Sequence, residues 1–339
     1  MTVKFAIPKG SLEKDTLSML EQAWHGISVN ERSYRPSLGD PEIEVKMLRP
    51  QEIPIFVAEG MQDTGITGSD WIKESGAEVE KILDLKYGAI RIVSATPKDF
   101  SCKTFSDLCE SFWSAEKTLR ISTEYLNITS EYLQSNPIYK KYFGDDKPLV
   151  ITPWWKRGTN QKASIYLSFG ATEAKPPEDA DVIIDVTQTG KSLERNNLII
   201  LDNVTKSAAV LIANKQALDD PKKKEKIFDI LTLLKGVVEA KQKLHIFVNV
   251  NKDNLNSLIQ ELPALRQPTI SPLSDDQWVS VNTIIEKPQF LKILPKLRKL
   301  TQGLVVHYPK QILPLEDIAK KQEQGDNNVT TFKLKRSNS

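Results

Sequence analysis

Two hydrophobic periods alternate along the first 215 residues. Lys4-Phe5-Ala6-Ile7 is a short apolar run stopped by Pro8-Lys9-Gly10, which predicts a strand. Leu12, Leu17 and Leu20 then share one face, which predicts a helix with Ser11 as its cap. Ile43, Val45 and Met47 alternate through a strand from Glu42 to Leu48, and Arg49-Pro50 open a helix that runs to Gly60. A tight strand follows at 63–68, and Ser69-Asp70-Trp71 begins a third helix in which Asp70 is most economically the N-cap. Further strands are predicted at 89–95, 119–123, 149–152, 164–169, 181–186, 198–201 and 208–213, with helices at 127–134 and from Gly190 onward. Short connections between such elements define an α/β pattern, and this many strands favours two sub-domains over one sheet. The stretch 135–162 is aromatic and Pro-containing, and reads as an irregular excursion.

After residue 215 the pattern changes. A charged helix from about 219 to 243 carries Ile227, Ile230, Leu231, Leu234 and Val238 on one face. Beyond it come a strand (244–250), a helix (253–262), two strands (269–273 and 279–285), a helix (289–300) and a last strand (304–308). That order, βαββαβ, is the ferredoxin-like split unit, a module often used for effectors or assembly. The tail from Leu315 is polar and basic at its end.

Composition narrows the function classes. The 339 residues are 40% hydrophobic and 27% charged, enough to build cores. The 46 Lys+Arg against 44 Asp+Glu leave a net +2, which excludes a dedicated nucleic-acid binder with a strong basic field but permits local anion sites. No apolar run approaches the ~20 residues of a membrane span, and the chain enters a strand and a turn at once, without a signal-peptide pattern. Cys102 and Cys109 fit neither a CxxC pair nor a disulfide framework, so two reduced thiols in a cytoplasmic protein are expected. The histidines (His25, His245, His307) show no metal-ligand spacing, and no protein-held metal site is expected.

The sharpest chemical signal is Asp181-Val-Ile-Ile-Asp-Val-Thr-Gln-Thr-Gly-Lys-Ser-Leu193. A buried strand delivers Asp185 to its carboxyl end, and the loop Thr187, Gln188, Thr189, Gly190, Lys191, Ser192 leads into a helix. Backbone N–H groups at such a start, with the hydroxyls, make a phosphate cradle, and Gly190 allows close approach. An acid before this turn suits a ribose phosphate: the carboxylate accepts from sugar hydroxyls while the turn holds the 5-phosphate. Lys191 either adds charge or points to solvent. An ordinary strand–turn–helix is the competing reading. Lys9 and Asp70 lie at or just past other strand ends, where α/β ligands bind. Arg49 is either a phosphate clamp or a solvated surface residue, and Glu173 follows a strand and a Gly, placed to face the same cleft.

Phe5-Ala-Ile-Pro-Lys-Gly-Ser-Leu12, Leu48-Arg-Pro-Gln-Glu-Ile-Pro54, Asp63-Thr-Gly-Ile-Thr-Gly-Ser-Asp-Trp71, Ser122-Thr-Glu-Tyr125, Gly170-Ala-Thr-Glu173, 181–193 and 207–214 follow in order. Together they resemble the ATP phosphoribosyltransferase family of histidine biosynthesis. Gln267-Pro-Thr-Ile-Ser-Pro-Leu273, Trp278-Val-Ser-Val281 and Gly303-Leu-Val-Val306 resemble the regulatory domain of its long form. The resemblance covers about residues 3–314. It implies a catalytic unit like the type II periplasmic binding proteins: a discontinuous first lobe (1–96 with 187–215), a second lobe (97–186), a linking helix (216–243), a regulatory domain (244–314) and a polar tail (315–339). It also implies that N1 of ATP displaces pyrophosphate from C1 of phosphoribosyl pyrophosphate, with Mg²⁺ carried mainly by the substrate. Asp185, Lys9 and Glu173 would be catalytic, 185–192 would bind the ribose 5-phosphate, and Lys9, Arg49, Asp70 and Glu173 would line the ATP and pyrophosphate side. Histidine would inhibit at the C-terminal module, where Asn249, Thr269 and Ser271 are the effector candidates. A homo-oligomer, dimer or hexamer, without a separate regulatory subunit is implied. Ser11 stands where the family usually has Arg, Lys175 where an apolar residue is common, and 135–162 is longer than usual.

Two other classes compete. One is a cytosolic small-molecule-binding module of solute-binding type without catalysis. The other is a phosphoribosyltransferase for a different base.

Overall fold

The structure, a computed structural model, describes residues 2–28, 34–262 and 268–313. The expected polar tail 315–339 and the motif residue Gln267 lie outside the described residues. In chain order the strands are β1 (Val3–Pro8), β2 (Ile43–Leu48), β3 (Thr64–Gly68), β4 (Glu80–Asp84), β5 (Ile90–Pro97), β6 (Leu119–Thr123), β7 (Pro148–Ile151) and β8 (Lys156–Arg157). They continue with β9 (Asn160–Leu167), β10 (Val182–Thr187), β11 (Leu198–Ser207), β12 (Ala209–Ala213), β13 (Lys243–Asn251), β14 (Thr269–Pro272), β15 (Trp278–Glu286) and β16 (Thr301–His307). The described residues of Met1–Val3, Lys14–Lys46 and Leu218–Ser339 form one compact unit, and those of Lys4–Glu13 and Met47–Ala217 another.

The first sheet has the order β2-β1-β3-β12-β4. β1 and β3 run parallel, and β12, from far along the chain, inserts antiparallel beside β3. The second sheet has the order β11-β5-β10-β6-β9-β7-β8. Its parallel centre, β10-β6-β9-β7, is extended by β5 and β11, each antiparallel to its inner neighbour. The chain therefore crosses between sheets after β4 and returns between β11 and β12. These two crossings make the two-lobed α/β architecture expected from the sequence. The lobe boundaries differ, however: β5 and β11, assigned from sequence to the first lobe, belong to the second sheet. Apolar alternation marks a strand but does not say which sheet's edge it extends.

Four local features also depart from the sequence reading. The first helix starts at Glu13, not at Ser11, and the Gly10 N–H donates to Glu13 Oε2 (3.0 Å), so Glu13 reaches back to hold this start. β4 and the helix Phe105–Ser114 were not foreseen, although the latter carries a capping box between Thr104 and Asp107. The segment 135–162 is regular after all: a helix over Pro137–Phe143, β7, β8 and the start of β9. Tyr139, Tyr142 and Phe143 pack into the core cluster, whereas Trp154 and Trp155 are exposed. The Tyr139 ring is fully buried, its hydroxyl donates to the Asp146 carbonyl (2.6 Å), and Trp113 packs edge-on against Tyr139 and Phe143.

In the other unit, the helix Pro221–Lys241 is capped by Asp220, whose Oδ1 accepts from the Lys222 N–H (3.0 Å). Lys226 on it pairs with Glu42 (2.8 Å) and Asp40 (3.3 Å). The hydrogen bond that Lys226 donates to Glu42 leads in raising its ammonium above the ordinary lysine range. Gly236 sits inside this helix because a Cβ there would lie 2.5 Å from Leu313 Cδ2. The Ile312 N–H donates to its carbonyl (3.0 Å). The last sheet, β14-β15-β13-β16, is antiparallel with ferredoxin-like order. Ile246, Val248 and Val250 of β13 join Val279, Val281 and Ile285 of β15 in one core with Leu258 and Leu297 of its two helices.

Candidate active site

β10 is buried through Ile184 because both faces of the second sheet's centre are covered. Its carboxyl end then leaves the core and presents Asp185 and Thr187 on one face. The Asp185 carboxyl accepts the Val186 N–H at 2.7 Å. Burial is the first cause holding its pKa above the ordinary carboxyl range, and the Glu173 charge adds to it, while Lys175 opposes it. Two residues on, Thr187 Oγ1 accepts the Gly190 N–H (2.9 Å) and closes the turn. Gly190 has φ +81°, a left-handed conformation costly for other residues, and forms the N-cap of the short helix Lys191–Arg195. Gln188, Thr189, Lys191 and Ser192 around it are exposed. The acid, the turn and the helix start are thus assembled as the sequence implied.

Glu173 reaches this turn. Ser192 Oγ donates to Glu173 Oε1 at 2.5 Å, from the single-turn helix Thr172–Ala174. Lys175 donates to Ser168 Oγ (2.6 Å) and Ser122 Oγ (3.3 Å). The Glu124 carboxyl is raised above its ordinary value by burial, then by Asp185, with Lys175 opposing. Glu124, Glu173, Lys175 and Asp185 therefore form one mixed-charge cluster, of which only Glu173 and Asp185 were singled out from sequence.

In the first lobe, Lys9 and Arg49 lie near one another. Lys9 Nζ pairs with Glu13 Oε1 (3.3 Å), and Arg49 Nη1 lies 3.3 Å from where a Gly10 Cβ would stand. The Gly10 backbone bond is the leading reason the Glu13 carboxyl sits low, followed among the favourable contacts by Lys9 and then Arg49. Arg49 is thereby part of a charged group rather than an isolated surface cation.

Asp70 is not an N-cap. Gly68 occupies that position without a side-chain bond, and Asp70 turns inward from the helix Ser69–Ser75, 5% exposed. Its Oδ1 accepts from Ser207 Oγ (2.5 Å) and its Oδ2 from the Tyr125 hydroxyl (2.9 Å). Tyr125 is buried, stacks on Trp71 with ring centroids 4.6 Å apart, and its phenol is pushed far up by burial and then by the Asp70 charge. It stays protonated and donates. The same helix contributes Glu74, which accepts the Asn127 N–H (2.9 Å) and the Ile128 N–H (3.0 Å) at the start of the helix Leu126–Ser135. Asp70 and Glu74 thus tie the first lobe to the second. The roles of Tyr125 and Ser207 were missed, though both lie in motifs recognised in the sequence.

The effector candidates lie together on one sheet face. Asn249 is opposite Ser280, and Ser280 is opposite Ser271; Thr269 is opposite Asn282. This is the face away from the module's apolar core.

The fold and this site define a two-lobed α/β protein with a closed glycine turn beside an acid at the carboxyl end of β10 and an appended ferredoxin-like domain. The profile of the ATP phosphoribosyltransferase (HisG) family matches residues 49–236, and that of its C-terminal domain matches 240–308. An ATP phosphoribosyltransferase from Solibacter usitatus is 39% identical over 314 residues, 91% of this chain and 98% of that protein. One from Pelotomaculum thermopropionicum is 36% identical over the same shares. The solved ATP phosphoribosyl transferase (HisG:HisZ) complex from Thermotoga maritima aligns with TM-score 0.54 and 26% identity, over 70% of this chain and 99% of that one. The chain belongs to the ATP phosphoribosyltransferase family, enzymes of the glycosyltransferase class in histidine biosynthesis. This membership disfavours the non-catalytic binding module. Among the described residues no helix is long and apolar enough to cross a membrane.

Proposed function

We propose that the cleft at the carboxyl end of β10 binds phosphoribosyl pyrophosphate and transfers its phosphoribosyl group to N1 of ATP. The C1–N1 bond forms as the C1–O bond breaks, and pyrophosphate leaves with the electron pair. The observation that carries this reading is the closed turn Thr187–Gly190 beside the half-buried Asp185. The turn's N–H groups hold the 5-phosphate, Asp185 accepts from the ribose hydroxyls, and Ser192 exchanges its bond to Glu173 for one to the phosphate. Lys9, Arg49 and Glu173 line the ATP and pyrophosphate side. Asp70, bonded to Ser207 and Tyr125, acts there as a positioning residue. Positioning and electrostatics supply the rate, with no covalent intermediate.

Mg²⁺ is part of the proposal. Among the described residues no group of three or more His, Cys, Asp or Glu is gathered to hold a metal. Asp185 and Glu124 are hard oxygen donors, and the Asp185 charge helps raise the Glu124 carboxyl, which fits a cation that arrives on substrate phosphates and takes one or two carboxylates. When bound it would neutralise charge on the departing pyrophosphate. Pyrophosphate release from ATP plus phosphoribosyl pyrophosphate, with and without Mg²⁺, tests the reaction; no release sinks it.

Feedback control by histidine at the ferredoxin-like domain, with a dimer–hexamer rearrangement, a cytoplasmic location and no separate regulatory subunit, completes the proposal. Its support is that the chain carries its own C-terminal domain, with Asn249, Thr269 and Ser271 on the sheet face away from its core. Asn249→Ala should weaken histidine inhibition while leaving uninhibited turnover intact, with sedimentation reporting the oligomer. Unchanged inhibition removes Asn249 from the site.

A further inference from the structure

A cavity of about 520 Å³ opens where the chain crosses between the two sheets, within the size range of small-ligand sites. Ser69, Ser207, Lys81, Arg91, Lys206 and Gln188 line it. Three of these are cations, contributed by β4, β5 and β11. Arg91 stands directly opposite Lys206 on one neighbouring strand and opposite Thr187 on the other. Like charges directly opposite across antiparallel strands repel, which costs stability unless an anion lies between them. Arg91 spends one donor on the neutral Asn203 carbonyl (2.9 Å). Lys81, Arg91 and Lys206 form no ion pair with any described residue. The cavity's one acid, Asp84, is already paired with Lys86 at 2.8 Å. Lys81 also acts on Asp84 through its charge, so the lining is partly compensated but still net cationic, and Gln188 belongs to the turn after β10.

We infer that this cavity is a polyphosphate subsite in which Lys81, Arg91 and Lys206 clamp a di- or triphosphate group. Ser69 adds a hydroxyl donor at its wall, while the Ser207 hydroxyl is already given to Asp70. The assignment rests on the phosphoribosyl-transfer reading for its role in turnover, where the polyphosphate comes from either the leaving pyrophosphate or the ATP tail. Arg91 offers a planar fork for adjacent phosphate oxygens, and the lysines add point charges. The cavity adjoins the 5-phosphate turn through Gln188 and through Thr187, which stands opposite Arg91, so the two anion-binding regions would lie side by side.

Calorimetric titration of the full chain with inorganic pyrophosphate, ATP and ribose 5-phosphate separately tests this. Lys206→Met and Arg91→Met should each weaken pyrophosphate or ATP at least tenfold while leaving ribose 5-phosphate within twofold. Loss for pyrophosphate alone assigns the clamp to the leaving group, and loss for ATP alone assigns it to the nucleotide tail. Lys206 is exposed, so its variant folds even if removal of the Arg91–Asn203 bond does not permit Arg91→Met to. Pyrophosphate and ATP affinities both unchanged in Lys206→Met and Lys81→Met overturn the inference. A protein that binds pyrophosphate in the cavity but releases none from the two substrates would sink the reaction and leave the anion site standing.

Discussion

Removing one oxygen from Tyr125 tests how the lobes are held together. Tyr125→Phe deletes the hydroxyl that donates to Asp70 Oδ2 at 2.9 Å, while the ring keeps its stack on Trp71. No sizeable void forms, so the cost is that of a hydrogen bond to a buried carboxylate. Such bonds contribute about 1.5–3 kcal/mol, and Asp70, 5% exposed, cannot recover the loss from water. Ser207 still donates to Oδ1, which keeps the cost toward the lower end, about 2 kcal/mol. Urea unfolding followed by circular dichroism measures it. The Asp70→Asn and Tyr125→Phe double-mutant cycle should return a coupling of about 1.5 kcal/mol or more. Because the pair is buried, the coupling should survive 0.5 M NaCl. A coupling below about 0.5 kcal/mol would refute the claim that this contact ties the lobes.

Asp185→Asn should lower kcat by about 100-fold or more, yet raise the melting temperature at neutral pH. The sign follows from burial: the folded carboxyl has a raised pKa, so ionisation costs the native state stability as pH climbs through that value, and the amide escapes it. The gain should vanish at pH below the unfolded value, and equal melting temperatures at pH 7.5 would contradict it. Gly190→Ala must hold φ +81° with a Cβ that meets only Ile200 Cδ1, at 3.8 Å, so its cost is conformational, about 1–2 kcal/mol. It should raise the KM for the phosphoribosyl donor several-fold more than that for ATP; equal effects on both would detach the turn from the 5-phosphate. Arg120 donates to both Asp181 oxygens (3.2 and 2.8 Å) and to the Pro177 and Glu178 carbonyls. Arg120→Ala should cost about 2–3 kcal/mol by thermal unfolding, with either KM unchanged; a loss under 1 kcal/mol would count against it.

Elements whose sequence period matched their burial were legible before the structure. β10 and its turn, β13 through β16 and the helix Pro221–Lys241 all fall close to where the pattern placed them. The failures share a cause, which is that a partner distant in sequence decides the outcome. β4 is half-buried along its whole length and shows no alternation, so only its pairing with β12 defines it as a strand. Asp70 looked like a cap because Ser-Asp-Trp opens a helix, and the hydroxyls that claim it come from residues 125 and 207. Tyr139, Tyr142 and Phe143 resembled a loop's aromatics because the ring of Trp113, against which they pack, lies outside that stretch. Ser122-Thr-Glu-Tyr125 marked a site without disclosing its parts: Thr123 bonds the Ile184 carbonyl (2.7 Å), Glu124 faces Asp185's charge, and Tyr125 holds Asp70.

The second sheet ends on β8, only two residues long, with Lys156 and Arg157 both exposed. Arg157 lies over the Trp155 ring, 4.7 Å from its centroid. A strand from another chain arriving at this edge would find two rungs to pair with and two positive charges to displace. The β8 edge of this seven-stranded sheet is thereby guarded, and the segment 135–162 that supplies β7 and β8 doubles as protection against edge-to-edge aggregation there at high protein concentration.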